Sequence, residues 1–166
     1  MFSLRRLLDY AVLCGLIAAI VFGLRYFDLN DSTGDGRVID GDSLMLDGQK
    51  VRLYGIDAPE LSQMCTDRSG ASYRCGRKAR QFLKSLVGNA LITCSVIDVD
   101  RYHRDVSICK VGKNELNLKM LQSGWAVSYF SPSLRYVRAE KSARRGKRGL
   151  WQGTFERPSE WRDGHR

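Results

Sequence analysis

Histidine is scarce in this sequence, and internal repeats are absent from it. Only two histidines occur, and the five cysteines lack the paired spacing of a zinc finger, so a structural zinc site is not expected. What remains is a chain of 166 residues, 43% hydrophobic and 27% charged, which indicates one globular domain with a real core.

The apolar run near the N-terminus is short and lacks a signal-peptidase pattern. It comprises fifteen residues, 10–24 (YAVLCGLIAAIVFGL), fewer than the roughly 20 that span a bilayer, although apolar residues on both sides extend it. The residues that follow it, 25–28, are not the small ones of a cleavage site.

Two arginines precede this run, and basic residues favour the cytoplasmic side of a membrane. We therefore expect residues 1–27 to be an uncleaved signal anchor, a single transmembrane helix in a bacterial inner membrane, and residues 28–36 to be a linker. The domain would then lie in the periplasm or outside the cell. Secretion after signal cleavage is the alternative.

Positive charge is concentrated at the C-terminal end. The formal net charge is +9, and residues 134–166 hold ten Lys or Arg against four Asp or Glu, whereas residues 28–133 hold fourteen against thirteen. A basic face attracts polyanions, nucleic acids first among them. A solvated helix that keeps the protein soluble has the same composition, so charge alone leaves both interpretations open.

The hydrophobic pattern predicts strands in the first half of the domain, with helices between and after them. An Asp47-Gly48 turn joins a strand over 37–46, interrupted by Asp-Gly-Asp, to a strand over 49–54. Further predicted elements are a helix over 76–87, strands over 91–97 and 106–111, a short helix capped by Asn114, and a helix capped by Ser133 with Leu134, Val137 and Ala139 inward. This order indicates an α+β domain over residues 37–162, a small barrel with packed helices.

Four cysteines lie in the domain, an even number that fits two disulfides in an oxidising compartment. Cys65 and Cys75 bracket a polar loop, and a bridge between them would pin that loop to the start of the first domain helix. Cys14 would stay free.

The other pair follows from the register of a hairpin. If residues 99–104 form its turn, with Asp98 opposite Asp105, the numbers of facing residues sum to 203. Cys94 then faces Cys109 at a distance that a disulfide can span. The alternative is that both are buried thiols on the inner faces of the strands.

Acidic residues gather in two segments, VIDGDS (38–43) and VRLYGIDAPE (51–60). The turn between the two strands folds them together and brings Asp42 and Arg52 within reach of each other. Two more acids leave the end of the second strand. Several carboxylates and an arginine at one strand end suit a hard oxygen-binding cation and a phosphate.

Residues 31–42 also fit the outline of an EF-hand calcium loop. Asp31, Thr33, Asp35 and Gly36 occupy its leading positions, and Asp42 occupies the last. No helix is predicted on either side, which argues against this alternative, a calcium-binding envelope protein.

Three motifs, VIDGDSLML, VRLYGIDAPE and DRYHRDVSIC, resemble in their order and spacing the staphylococcal nuclease (thermonuclease) family. The resemblance continues through LNLKMLQSGWAVSY and SARRGKRGLW to PSEWR and covers about residues 36–162. It implies a five-stranded OB-type β-barrel with three packed helices. It also implies a calcium-dependent endonuclease that cleaves the P–O5′ bond of DNA or RNA and leaves 3′-phosphate ends.

The resemblance implies a metal site as well. Asp42 and Asp57 match the calcium-ligating carboxylates. Ala58 stands where the family usually has Thr, and its backbone carbonyl would be a third ligand. Asp40 would support these ligands from behind.

Three catalytic side chains are implied in the same way. Arg52 and Arg104 would donate forked hydrogen bonds to the phosphate, and Glu60 would be the general base. His103 stands where the family usually has Gly, and a positive φ there suits His less well than Gly. Tyr102 and Phe130 would stack on bases, or they are ordinary loop and core aromatics.

The sequence thus predicts an enzyme whose partners are a nucleic-acid substrate and a membrane, with Ca²⁺ as cofactor and no obligate protein partner. Its rival is a non-catalytic nucleic-acid-binding module of the same fold. Such modules typically lack the acids and arginines that this sequence retains. A calcium-dependent activity that a chelator removes would separate the two.

Overall fold

The structure, a computed structural model, describes residues 10–21, 31–130 and 133–165. The chain divides into two compact units, Met1–Asp31 and Ser32–Arg166.

In the first unit, residues 10–21 form helix α1. None of the helices in the described ranges is both long and apolar enough to cross a membrane. The transmembrane helix predicted over residues 1–27 is therefore not found among them. Much of that predicted segment, including both leading arginines, lies outside the described residues.

The remaining elements, in chain order, are β1 (Asp31–Gly34), β2 (Gly36–Val38), β3 (Ser43–Leu46), β4 (Gln49–Leu53), β5 (Ile56–Asp57), β6 (Met64–Thr66), β7 (Ser72–Arg74), α2 (Cys75–Val87), β8 (Ile92–Val99), β9 (Asp105–Val111), β10 (Asn114–Glu115), α3 (Leu116–Ser123), β11 (Val127–Ser128), α4 (Leu134–Arg145), a 3-10 helix (Gly149–Gln152) and α5 (Pro158–Gly164).

One chain segment joins the two edges of the main sheet. The strand order is β1-β8-β9-β4-β3-β2, and only Asp35 separates β1 from β2. The two edge strands are therefore halves of one bent segment, and the sheet curls round on itself. With β1 and β2 counted together, five strands form this barrel, which is consistent with the predicted OB-type fold in the α+β class.

The barrel core follows from alternation along the strands. Leu44 and Leu46 in β3, and Val51 and Leu53 in β4, are buried, because every second residue of a strand lies on the same face. Arg52 lies between two of them, so its side chain leaves β4 on the opposite face, where the candidate site lies.

Helix α2 closes one side of the core, and its residues Cys75, Ala79, Leu83 and Val87 are buried at intervals of four. The predicted helix over 76–87 is confirmed.

Ser133 caps α4 as predicted, since its side chain accepts a hydrogen bond from the Tyr136 amide.

Two details of the helix predictions are wrong. Asn114 pairs with Val111 in β10 and does not cap α3, whose N-cap is Glu115. Leu134 is 76% exposed, and Tyr136 instead faces the core from the first turn of α4. The two residues are separated by about 200° around the helix axis, so only one of them can face the core.

Both predicted disulfides are present, Cys65–Cys75 and Cys94–Cys109. The first joins β6 to the start of α2. The second links facing residues of β8 and β9, whose Cα atoms lie 4.1 Å apart. Cys14 is free and exposed.

The second bridge gives a stability prediction. Replacing both Cys94 and Cys109 by alanine opens a covalent loop whose ends are 15 residues apart. We expect the free energy of unfolding to fall by about 3 kcal/mol, mainly because the unfolded chain gains freedom. Urea denaturation of the double variant measures this, and an unchanged midpoint would contradict it.

Candidate active site

Arg52 bridges two buried carboxylates. Because Ser43 faces Arg52 across the β3–β4 hairpin, Asp42 lies next to the arginine. The guanidinium donates from Nη1 to Asp42 Oδ1 at 3.2 Å and from Nη2 to Asp57 Oδ1 at 2.9 Å. The turn at residues 47–48 thus brings Asp42 and Arg52 together as predicted.

Asp42 is fixed from three directions. Besides Arg52, the Ala58 amide donates to Asp42 Oδ2 at 3.0 Å, and the Ser43 hydroxyl donates to Oδ1 at 3.0 Å. Its side chain is only 6% exposed. These bonds hold the carboxylate in one orientation, as a ligand or phosphate site requires.

Asp57 lies at the end of β5, where that strand pairs with β11 through Val127. Its side chain is fully buried. Burial raises the pKa of this carboxyl above its ordinary value, although hydrogen bonds from Arg162 and the charge of Arg52 oppose the shift. Two arginines on one buried carboxylate compensate much of the cost of burying its charge.

Asp40 stands behind Asp42. Its Oδ1 accepts the backbone amide of Asp42 at 3.0 Å. Burial, together with the negative charge of Asp42, raises the pKa of Asp40 to about 6. Asp40 therefore holds the Asp42 backbone.

Glu60 lies in a loop that several contacts hold. The Glu60 amide donates to the side-chain oxygen of Gln63 at 3.2 Å, and the Gln63 amide donates back to the Glu60 carbonyl at 2.8 Å. Gln63, fully buried, also donates to the Glu156 carbonyl. A Cβ at Gly76 would overlap the Glu60 carbonyl, so only glycine lets α2 approach this closely.

Arg162, from the C-terminal helix α5, completes the cluster. It forms a forked ion pair with Asp57, with distances of 2.9 and 3.1 Å, and a further pair with Glu60 Oε1 at 3.0 Å. Burial lowers the pKa of its guanidinium, but the two carboxylates outweigh this effect and raise it. The sequence patterns did not single out this residue, although it lies within the PSEWR motif.

Arg104 is held locally by Asp100. The Asp100 carboxylate accepts the backbone amide of Arg104 at 3.0 Å and its Nε at 2.7 Å. His103 has a φ of 58°, so the turn before Arg104 adopts the positive φ that suits Gly better than His. Val106 in β9 pairs with Arg52, and Arg104 directly precedes β9, so the backbone of Arg104 lies at the end of the strand next to that of Arg52.

Two exposed aromatic residues flank the region. Tyr102 is 62% exposed and lies under the guanidinium of Arg104, 5.4 Å from ring centroid to Cζ. Phe130 is 82% exposed and follows Tyr129, whose amide donates to the Gly55 carbonyl next to β5. Both rings are exposed, so neither packs in the core. The alternative that Phe130 is an ordinary core aromatic is therefore wrong.

The EF-hand alternative is wrong. Its segment forms strands β1 and β2, and Asp42 accepts bonds from Arg52 and Ala58 instead of closing a loop. A calcium loop needs consecutive turns that direct oxygens inward, which extended strands do not provide.

The donor set near Arg52 suits a hard cation better. Asp42 and Asp57 offer carboxylate oxygens that one guanidinium spans, and the backbone of Ala58 adjoins both. No group of three acidic, His or Cys side chains placed to hold a metal occurs in the described part of the chain. A cation here would need carbonyl and water oxygens to complete its shell.

The sequence matches the model of one known protein family. Residues 50–153 match the sequence model of a protein family described as staphylococcal nuclease homologue. That stretch contains Arg52, Asp57, Glu60 and Arg104 and covers well over half of the chain.

Three relatives illustrate the similarity. The succinoglycan biosynthesis protein ExoI of Rhizobium meliloti is 33% identical over 126 residues, 74% of this chain and 66% of that protein. An uncharacterized endonuclease of Haemophilus influenzae is 32% identical over 76% of this chain and 70% of its own length. A probable staphylococcal-like nuclease of Oryza sativa is 29% identical over 73% of this chain but only 30% of its own length.

Proposed function

The chain belongs to the staphylococcal nuclease family, and from this premise we propose that it is a calcium-dependent endonuclease that hydrolyses DNA or RNA and leaves 3′-phosphate ends. The family match and the endonuclease relatives support a nuclease hydrolase. Calcium dependence and the position of the cleaved bond are part of the proposal.

The cluster that Arg52 organises carries this proposal. Two carboxylates, an arginine that joins them and a nearby glutamate are collected at one end of the barrel. A structural ion pair would not need a second arginine and a third acid at the same place. Hydrolysis of a phosphodiester needs cationic donors for the phosphate and a base for the water, which this set supplies.

Asp42, Asp57 and the Ala58 carbonyl are the residues that would hold Ca²⁺. The ion, when bound, neutralises negative charge on the phosphate oxygens. Asp42 is already oriented by the Ala58 amide and the Ser43 hydroxyl, so little rearrangement of this ligand is needed.

The protein side chains have distinct roles. Arg52 donates to the non-bridging phosphate oxygens, where a planar guanidinium can make two parallel hydrogen bonds. Glu60 accepts a proton from the attacking water, and Arg162 holds the Glu60 carboxylate in place for this.

Residues outside the central cluster bind the substrate in this proposal. Arg104 exchanges its partly buried ion pair with Asp100 for contacts with the phosphate, which replaces one charge-assisted interaction by another. Tyr102 and Phe130 are exposed aromatic residues on which bases can stack, although the guanidinium groups of Arg101 and Arg104 already lie over the Tyr102 ring.

Isothermal titration with Ca²⁺ tests the metal site independently of catalysis. The wild-type protein should bind one Ca²⁺, and Asp42→Asn should weaken that binding. Incubation with DNA and with RNA, in calcium or in chelator, tests the activity. Hydrolysis that persists in chelator would contradict calcium dependence, and binding of DNA without hydrolysis would favour the non-catalytic module.

The proposed location is the periplasmic or outer side of a bacterial inner membrane, with residues 1–27 as the anchor. The apolar run and its preceding arginines support the anchor, and the two disulfides support an oxidising compartment.

A reporter fusion tests this location. Alkaline phosphatase folds only when it is exported from the cytoplasm. Fused after the last residue of the chain, the phosphatase should therefore be active. A stable but inactive fusion would place the domain in the cytoplasm. Release of a soluble fragment beginning near Asp28 would instead show that the signal is cleaved.

A further inference from the structure

A basic groove of about 720 Å³ lies directly beside the loop that carries Glu60. One wall is formed by the residues after Glu60, among them Leu61 and Met64. The other wall is α2 with the residue before it, and its basic side chains are Arg74, Arg77, Arg80 and Lys84. No acidic residue is among the described residues that line the groove.

The basic residues are arranged along one side of the helix. Positions 74, 77 and 84 are separated by three and seven residues, the spacing of side chains on one helical face. Ten residues of helix extend over about 15 Å. This length spans a few successive phosphates of a nucleic-acid strand.

One donor in the groove has no acceptor. The Nε of Arg80 is buried and has no hydrogen-bond partner among the described residues. A guanidinium can only donate, so this group needs an oxygen from water or a ligand. Because this Nε is itself buried, a phosphate in the groove would reach it only after the Arg80 side chain, which lines the groove, shifts.

The two walls are joined covalently. Cys65 follows the Met64 wall, Cys75 begins α2, and the disulfide between them fixes the width of the groove. Gly76, at the first turn of α2, packs against the Glu60 carbonyl. The groove is therefore rigidly aligned with the candidate catalytic glutamate, and a ligand that it binds meets a preorganised surface.

We infer that this groove binds the phosphodiester backbone of a single-stranded segment of the substrate, next to the bond that is cleaved. The inference rests on the proposed nuclease function, because it assigns the groove to the substrate of that site. Leu61 and Met64, 38% and 48% exposed, offer apolar surface to the sugars and bases of an unpaired strand. The basic groove, and not the basic helix α4, then determines the affinity for long substrates.

The test is a binding measurement with the full-length protein carrying Glu60→Gln to suppress cleavage. Fluorescence anisotropy with labelled oligothymidylates of about 4 and about 16 nucleotides covers the range of site sizes on a barrel of this type. Adding Arg77→Gln and Lys84→Gln, both on exposed residues, should weaken binding of the longer strand roughly tenfold. The slope of log K against log salt should become shallower by about 1.4, because about 0.7 is lost per phosphate contact on a single strand.

Arg138→Gln with Arg145→Gln is the matched control, since it removes the same charge from exposed residues of α4. The control should bind the longer strand as tightly as the protein that carries only Glu60→Gln. The longer strand should bind more tightly than the short one to both of these proteins, and this gain in affinity should be lost only in the groove variant. Equal weakening in both variants, or unchanged binding in the groove variant, would overturn the inference. Wild-type protein assayed in parallel separates the two proposals, because groove-dependent binding without any hydrolysis would support the groove and contradict the nuclease function.

Discussion

Glu60→Gln is expected to lower kcat for DNA hydrolysis by about 10²–10⁴-fold, the usual contribution of a general base. Glutamine keeps the shape of the side chain and can still accept a hydrogen bond from Arg162, so the loop should keep its structure. It cannot take a proton from water. The loss should therefore appear in kcat, while the melting temperature stays close to that of the wild-type protein.

Glu160→Gln on the exposed face of α5 is the matched control, because it removes the same charge within the same region. This control should retain wild-type turnover. A Glu60→Gln protein that hydrolyses DNA within a few-fold of the wild-type rate would remove Glu60 from the mechanism.

Arg52→Ala is expected to affect both rate and stability. Removing one preorganised donor to the phosphate lowers turnover by about 10²–10³-fold. It also leaves Asp42 and the fully buried Asp57 without their shared cation, although Arg162 still pairs with Asp57. We expect the free energy of unfolding in the absence of calcium to fall by about 3 kcal/mol.

Calcium separates these two effects. The variant leaves Asp42 without an arginine partner and Asp57 with Arg162 alone, so it should bind Ca²⁺ at least as tightly as the wild-type protein and regain part of its stability. The rate should stay low in saturating calcium. Arg52→Lys keeps the charge but not the fork, and it should restore stability more than activity. A variant with normal turnover and unchanged unfolding would contradict both assignments.

Local patterns were enough to predict the strand pair that forms the site. The Asp47-Gly48 turn and the alternation of Val51 and Leu53 determine both the register and the outward direction of Arg52. Asp42 and Arg52 therefore had to meet. No comparable local signal exists for a contact between residues far apart in sequence.

The disulfide between β8 and β9 was predicted correctly from a premise that is partly wrong. Asp98 faces Val106 and not Asp105, because the register shifts between Val96 and Asp98. On the side of the bulge away from the hairpin turn, the numbers of facing residues do sum to 203, so Cys94 faces Cys109 as predicted. A bulge inserts one residue locally and leaves no clear mark in the hydrophobic alternation.

Arg162 is a residue of the site that sequence patterns could not predict. It lies 105 residues after Asp57, and only the packing of the C-terminal helix brings the two together. Its charge is one of ten in a basic tail, so composition does not distinguish it from solvated arginines. Arg104 shows the converse, because its motif position implies a site residue while the structure pairs it with Asp100.

The most direct test of the central claim is the end-group analysis of DNA fragments that the purified wild-type protein produces in calcium. A single strand with a fluorescent 5′ label should be cut internally into labelled fragments whose mobility shifts after phosphatase treatment, because each labelled fragment carries a 3′-phosphate. Chelator should abolish the cutting. Intact DNA after prolonged incubation in calcium, with the strand bound to the protein, would contradict the claim that this barrel is a nuclease.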